Sequence, residues 1–378
     1  FDTRKQNEII SKLDFSLTND QNKTLDEINK DLCSDKKMFR LLQGDVGSGK
    51  TIVSLLSAFN TINSGFQVAV MAPTEILARQ HFLLAKKIFP EYIKTEILSG
   101  KSTYKDKKST LDKLIKKKID IIFGTHALFQ KKVEFKKLGL IIIDEQHKFG
   151  VSQRKNLSDK AGKDCDVLLM TATPIPRTLT MTIYGDMDLS IIREKPNIRK
   201  PIKTYSKLEN KIDDVIRFVK KEIKLGNQIF WVCPLIEESK KIDHTSAVKK
   251  SKYLEKLFPK QVFLLHGKTT ADEKEIILNK FLQNDFKILV STTIIEVGID
   301  FPNANVIIIE NANKFGLSQL HQLRGRVGRG NKESSCILMF KSNLSDNAKK
   351  RINILKDSND GFKISEEDMK LRGFGDIL

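Results

Sequence analysis

Cysteine is scarce in this chain, and the few residues there are lie far apart. Cys33, Cys165, Cys233 and Cys336 form no C-x-x-C pair. That argues against a zinc ribbon or a disulfide framework and points to a reducing compartment, the cytosol. No apolar run approaches the roughly 18 residues of a membrane-spanning helix, and no signal-peptide pattern is present, so the chain reads as soluble with no membrane partner. Acidic residues are outnumbered, 47 against 66 Lys and Arg, for a net charge of +19. A polyanionic partner suits that balance. Most of the excess is Lys, which can reflect codon bias alone, so charge by itself adds only modest weight to nucleic-acid binding. Arg is the scarcer cation, yet Arg324, Arg326 and Arg329 crowd together, where a planar fork is suited to an anion. A length of 378 residues allows two domains, each with its own core. The chain starts at Phe1 and stops just after Gly373-Phe374-Gly375, and it reads as a piece of something longer.

Against this plain background, Gly44-Asp45-Val46-Gly47-Ser48-Gly49-Lys50-Thr51 stands out. Gly44, Gly47 and Gly49 let the backbone turn tightly, so that N–H groups, including that of Ser48, can point at phosphates. Lys50 offers charge to the β- and γ-phosphates, and Thr51 a hydroxyl to Mg²⁺. An apolar run at 39–42 precedes the loop, and 52–56 continues as a helix start whose dipole favours an anion. The pattern predicts binding of ATP with Mg²⁺. A second apolar run, 140–143, ends in Asp144-Glu145-Gln146-His147. At a strand's carboxyl end beside a phosphate loop, Asp144 can hold the metal through water, and Glu145 can orient or deprotonate the attacking water. Two carboxylates that merely solvate a strand end are the plainer alternative. A third run, 167–170, closes in Thr171-Ala172-Thr173-Pro174-Ile175-Pro176-Arg177.

Apolar runs at 39–42, 67–71, 120–123, 140–143 and 167–170 alternate with amphipathic stretches, and a second series follows at 228–232, 262–265, 287–290, 306–309 and 336–339. Strands separated by helices predict parallel sheets wound on both faces, giving an α/β chain of two tandem RecA-like units. The charged, two-proline stretch 193–201 reads as the linker. The expected domains are 1–195, 196–345 and a helical segment from 346 to 378. Only the first unit has a phosphate loop.

Together these stretches resemble the superfamily 2 helicases and translocases, and the resemblance covers the whole chain. Asp144-Glu145-Gln146-His147-Lys148-Phe149-Gly150 and the run from Thr171 to Thr178 narrow it to the branch that holds the RecG helicases and the transcription–repair-coupling translocases. Gln146 and Ala72-Pro73-Thr74-Glu75-Ile76-Leu77-Ala78 favour the RecG family. The resemblance implies an ATP-dependent double-stranded DNA translocase and helicase that remodels stalled forks and Holliday junctions in repair and recombination. A transcription–repair-coupling translocase is the nearest alternative. A basic nucleic-acid-binding module with a non-hydrolysing core is the alternative of another class, and intact Lys50, Asp144, Glu145, Arg326 and Arg329 argue against it. Implied partners are branched double-stranded DNA and single-strand-binding protein, with a monomeric, nucleoid-associated protein of bacterial type.

Site roles follow from the same resemblance. In Gln322-Leu323-Arg324-Gly325-Arg326-Val327-Gly328-Arg329, Arg326 and Arg329 are implied to stabilise the γ-phosphate as in-chain arginine fingers, and Gln322 to join the water network. A basic nucleic-acid loop with no catalytic part is the alternative. In the run from Thr292 to Asp300, Gly298 and Asp300 lie nearest the nucleotide, although Asp300 also suits a turn or helix cap. Near the N-terminus Gln21 is implied to pair with adenine while Phe15 or Leu17 packs nearby. Thr18 and Gln21 equally form a helix capping box, and both readings can hold at once. Loops holding Pro73, Thr74, Gly100, Thr125, His126, His266, Gly267 and Lys268, together with Thr292, match the superfamily's DNA track. Their hydroxyls and free N–H groups suit phosphate oxygens. His126 and His147 need not be metal ligands; His147 is expected to couple the ATP site to the second unit. The segment 361–373 resembles the start of a translocation motif, with Phe374 where the family usually has Pro. The completing end of that motif and an amino-terminal wedge domain are not in the sequence.

Overall fold

A computed structural model of the chain describes residues 3–100, 103–130, 132–145, 165–173, 187–196, 200–234, 240–292, 301–328, 330 and 332–372. The chain divides into two compact units, Phe1–Pro196 and Asn197–Leu378. In the first, strands β1 (Phe39–Gly44), β2 (Gln67–Met71), β3 (Thr95–Leu98), β4 (Ile121–Gly124), β5 (Leu138–Ile143), β6 (Asp166–Thr171) and β7 (Asp188–Ile192) form one sheet in the order β3-β4-β2-β5-β6-β1-β7. Every pairing described is parallel. The central strands are near-continuous apolar runs because helices cover both faces of a parallel sheet. One face packs Leu42, Val68, Ile142 and Leu168 under helices α1 (Thr3–Ser11), α2 (Asn19–Leu32) and α3 (Lys50–Asn63). The opposite face packs Leu41, Ala69, Ile141 and Leu169, with α5 (Tyr104–Ile115) supplying Leu114. Helix α4 (Glu75–Ile88) follows β2 and buries the stripe Leu77, Ala78, His81 and Ala85.

The second unit repeats this plan. Strands β8 (Lys203–Leu208), β9 (Gln228–Val232), β10 (Val262–Leu265), β11 (Ile288–Ser291), β12 (Ala304–Ile309) and β13 (Ser335–Phe340) run parallel in the order β10-β11-β9-β12-β13-β8. That order matches the first sheet with β9 in the place of β2. Helices α6 (Ile212–Lys224), α7 (Lys240–Leu257), α8 (Ala271–Leu282), α9 (Leu317–Arg324), α10 (Asp346–Asp357) and α11 (Gly361–Arg372) complete it.

The repeat extends to individual side chains. Gly65 and Gly226 hold φ of 85° and 80°, a left-handed turn that favours glycine, and each is followed two residues later by a buried glutamine. Gln67 Nε2 donates to the carbonyls of Leu114 and Ile119 at 2.9 and 2.8 Å. Gln228 Nε2 donates to those of Phe281 and Phe286 at 2.7 and 2.9 Å. In both units a glutamine that opens a central strand thus donates to the carbonyls where α5 and α8 turn into the neighbouring strands β4 and β11. Buried carbonyls need such partners.

All ten expected strands are present, and β3, β7 and β8 are additional. The expected third block is part of the second unit, since α10 and α11 pack against α9. Ser318 Oγ donates to Asp368 Oδ2 at 2.6 Å and Arg351 Nη1 to the Phe315 carbonyl at 2.9 Å. Among the described residues no helix is long and apolar enough to cross a membrane.

Candidate nucleotide site

At the carboxyl edge of the first sheet, β5, β6 and β1 are neighbours, so the loops after them lie side by side. The phosphate loop joins β1 to α3. Gly47 and Gly49 have φ of 81° and 84°. A Cβ on Gly49 would fall 2.2 Å from Gln21 Nε2, and one on Gly44 2.3 Å from Ser48 Oγ. Here only glycine fits. Lys50 Nζ donates to the carbonyls of Gly44 at 2.7 Å and Asp45 at 3.1 Å, which folds the ammonium over the loop. The loop lysine is buried, 8 % exposed, rather than solvated. The Ser48 hydroxyl, also buried, has no hydrogen-bond partner among the described residues.

The loop is braced by α2. Thr18 and Gln21 form the capping box: Gln21 N donates to Thr18 Oγ1 at 3.2 Å, and Thr18 N to Gln21 Oε1 at 2.9 Å. Gln21 Nε2 then donates to the Ser48 carbonyl at 2.8 Å. Gln21 is fully buried, and its amide ties the helix cap to the phosphate loop. Phe15 is half-buried against the core beneath. From the end of the first unit Lys195 Nζ reaches Asp45 Oδ2 at 2.6 Å.

Asp144 and Glu145 follow β5, both buried. Asp144 N donates to the Met71 carbonyl at 2.8 Å, continuing the β2–β5 pairing. Burial alone would raise the Asp144 pKa. The hydrogen bond and charge of His81, the Lys50 ammonium and the Glu145 backbone N–H outweigh burial and hold it below the ordinary carboxylate value. Glu145 adopts φ of 53°, a left-handed conformation that costs a side-chain-bearing residue about 1 kcal/mol. The Ala172 N–H donates to its Oε2 at 3.4 Å. The Thr171 and Thr173 hydroxyls meet at 2.7 Å. The motifs after β5 and β6 therefore share one patch. The ionised Asp144 carboxylate and the Thr51 hydroxyl are hard oxygen donors suited to Mg²⁺, and the Lys50 ammonium supplies charge for phosphates, a set that fits a magnesium-bound triphosphate. The orphaned Ser48 hydroxyl fits such a ligand too.

In the second unit, Gln322 is half-buried at the end of α9, and Arg326 is 2 % exposed in the turn after it. Arg324 has a different task. Its Nη1 donates to Thr204 Oγ1 at 3.2 Å and to the Leu355 carbonyl, and its Nη2 meets His321 Nδ1 at 3.0 Å. It clamps β8 and α10 to α9, so the clustering of three arginines does not make all three anion ligands.

A family model described as DEAD/DEAH box helicase matches residues 18–182, and one described as Helicase conserved C-terminal domain matches 210–331. The ATP-dependent DNA helicase RecG of Bacillus subtilis (strain 168) is 49 % identical over 372 residues, 98 % of this chain and 54 % of its own length. That of Aquifex aeolicus (strain VF5) is 49 % identical over 375 residues, 98 % of this chain and 47 % of its own length. A solved RecG bound to a three-way DNA junction superposes with a TM-score of 0.88 at 43 % identity, covering all of this chain and 50 % of that one. The chain belongs to the RecG family. It spans about half the length of the curated relatives it matches. Mss116p bound to single-stranded RNA and AMP-PNP, at 22 % identity and a TM-score of 0.69, shares the fold.

In this RecG-family chain the other half of the first sheet's carboxyl edge holds the expected DNA loops, after the neighbouring strands β3, β4 and β2. Pro73 and Thr74 are half-buried, and Thr74 Oγ1 accepts from Leu77 N at 3.3 Å as the cap of α4. Gly100 is exposed; its N–H and the Ser99 hydroxyl donate to the Glu75 carboxylate. Thr125 is half-buried and His126 exposed. In the second unit Gly267 and Lys268 are exposed, with Lys268 N donating to His266 Nδ1 at 3.1 Å, while Thr292 is buried. Gln146, His147, the run 174–177, Gly298, Asp300, Arg329 and residues 373–375 lie outside the described residues. No group of His, Cys, Asp or Glu among the described residues has the makings of a metal cluster. Sequence reasoning missed His81, and it named Glu75 within a motif without its contacts to Ser99 and Gly100. For His81 a signal existed, a histidine on the apolar stripe of α4, but nothing in the sequence named its partner.

Proposed function

We propose that this chain is the motor of an ATP-dependent double-stranded DNA translocase and helicase that remodels branched DNA, at stalled forks and Holliday junctions, in repair and recombination. The observation that supports the reading is the division of one sheet edge: the phosphate loop and the segments at Asp144 and Thr171 follow β1, β5 and β6, and the loops at Thr74, Gly100 and His126 follow β2, β3 and β4. Lys50 and the loop residues Gly44, Gly47, Ser48 and Gly49 bind the triphosphate. Thr51 and Asp144 hold Mg²⁺, which when bound neutralises phosphate charge. Glu145 orients the attacking water and takes its proton. Arg326, Arg329 and Gln322 serve the transition state, Gly298 and Asp300 the sugar and phosphates, and Phe15 and Gln21 the adenine side. Pro73, Thr74, Gly100, Thr125, His126, His266, Gly267, Lys268 and Thr292 line the DNA track, and residues 346–378 begin the translocation lever. Single-strand-binding protein is a second proposed partner of a monomer working at the bacterial nucleoid.

The test compares ATP hydrolysis with and without a branched duplex, in the wild type and in Glu145→Gln. The wild type should be stimulated by DNA. The variant should keep nucleotide binding and lose turnover, because Asp144 is untouched. A variant that loses nucleotide affinity yet turns over normally at saturation would reverse the roles given to the two carboxylates.

A further inference from the structure

A buried side-chain contact joins the two halves of the first sheet's carboxyl edge. His81 Nε2 lies 2.9 Å from Asp144 Oδ2, with the residues 5 % and 7 % exposed. His81 stands on α4, the helix capped by Thr74 and anchored through Glu75 to the loop at Gly100. From Thr74 it is seven positions along the helix, two turns at 3.6 residues each, so it shares the cap's face. Its neighbours on that stripe, Leu77, Ala78 and Ala85, are buried and apolar. An ionised carboxylate only accepts hydrogen bonds, so the proton of this contact sits on Nε2, and the imidazole donates. Asp144 thus has Oδ2 fixed by a rigid, buried donor on a different element from its own strand. Partners of this kind, which orient a metal-holding carboxylate without touching the metal, typically change metal affinity ten- to a hundred-fold when removed.

The geometry points to His81 as a positioning residue that sets the Asp144 carboxylate for Mg²⁺ and ties it to the helix that begins at the DNA loops. The assignment rests on the proposed role of Asp144 as the carboxylate that holds Mg²⁺. A histidine that served only to fill the core would affect folding and leave the metal dependence of nucleotide binding alone.

The experiment uses the full chain, a fluorescent non-hydrolysable ATP analogue and a Mg²⁺ titration in the absence of DNA. His81→Leu should raise the half-saturating Mg²⁺ concentration about ten-fold or more while leaving the affinity for the analogue in EDTA unchanged. His81→Gln, whose amide nitrogen reaches about as far as Nε2, should stay within about three-fold of wild type. If His81→Leu does not fold, His81→Asn replaces it: the amide is the same but too short, and it should shift as the leucine does. Asp144→Asn separates the two readings. If it leaves the Mg²⁺ dependence unchanged, Asp144 is not the metal carboxylate and the site reading fails. If Asp144→Asn shifts the titration while His81→Leu, or Gln and Asn alike, match wild type, the positioning role of His81 is overturned.

Discussion

Lys50 shows how a single side chain in this site does structural and chemical work at once. Its ammonium is folded onto the Gly44 and Asp45 carbonyls and lies close enough to Asp144 to lower that carboxyl's pKa. Lys50→Ala removes the charge for the phosphates along with two buried hydrogen bonds to the Gly44 and Asp45 carbonyls. Turnover should therefore vanish, while unfolding free energy falls by roughly 2–4 kcal/mol, less than a core deletion that abolishes folding. Steady-state ATPase and a thermal melt check both parts, and hydrolysis within a few-fold of wild type would mean the site is misplaced. Spacing alone made Lys50, Thr51, Asp144 and Glu145 legible, because phosphate and metal chemistry demand those residue types at strand ends. It did not reveal His81, whose partner is 63 positions away. Helical periodicity says which face a residue lies on and is silent about what it meets there. Nor could residue types show that Glu145 sits at φ of 53°, since the constraint comes from the neighbouring strands.

Among the elements, the strands read from the sequence are interior to their sheets except β10, an edge strand with an apolar run, and helices on both faces of the interior strands require unbroken runs such as Ile141-Ile142-Ile143 and Ile307-Ile308-Ile309. The strands missed are those at or near the sheet edges. β3 is only partly buried, β8 alternates exposed and half-buried in Lys-Thr-Tyr-Ser-Lys-Leu, and β7 begins at an exposed Asp188. Edges carry polar residues because one side faces solvent, and that blurs the apolar signal. The two-unit plan was legible in the two series of apolar runs, but the matching glutamine in each unit lay outside periodicity. Gln67→Leu and Gln228→Leu should each strand one carbonyl, that of Ile119 or Phe286, because the Leu114 and Phe281 carbonyls keep backbone donors from Lys117 and Asn284, and each should cost roughly 1–3 kcal/mol. Chemical denaturation of each variant tests this, and a loss below 1 kcal/mol in both would refute the shared role. Arg324→Lys belongs at the same scale. It breaks the clamp on Thr204 and Leu355, so it should lower the melting temperature, with ATPase falling only as far as folding does. Arg326→Lys should do the opposite, sparing the fold and costing turnover.

For the molecule as a whole, the open question is how strongly DNA governs the motor. A net charge of +19 draws any polyanion, so binding alone separates nothing. Coupling does separate, because a ligand stimulates hydrolysis only if it binds the hydrolysing state more tightly, and ATP must then favour DNA by the same factor. If the loops around Thr74, Gly100, His126 and Lys268 grip phosphates, the gain from DNA must fall with salt by about 0.9 per contact on a log–log plot. Lys268→Gln should reduce that slope by about one while leaving ATPase without DNA unchanged. Arg329→Ala should lower the DNA-stimulated rate by on the order of a thousand-fold, with far less effect on nucleotide affinity, because its proposed contact is made in the transition state. The measurement is ATPase against branched-duplex concentration over a salt series, for wild type, Lys268→Gln and Arg329→Ala. A wild-type rate indifferent to DNA at every salt concentration would show that residues 1–378 do not couple the two ligands by themselves, and the coupling would then have to come from parts of the relatives that this chain does not span.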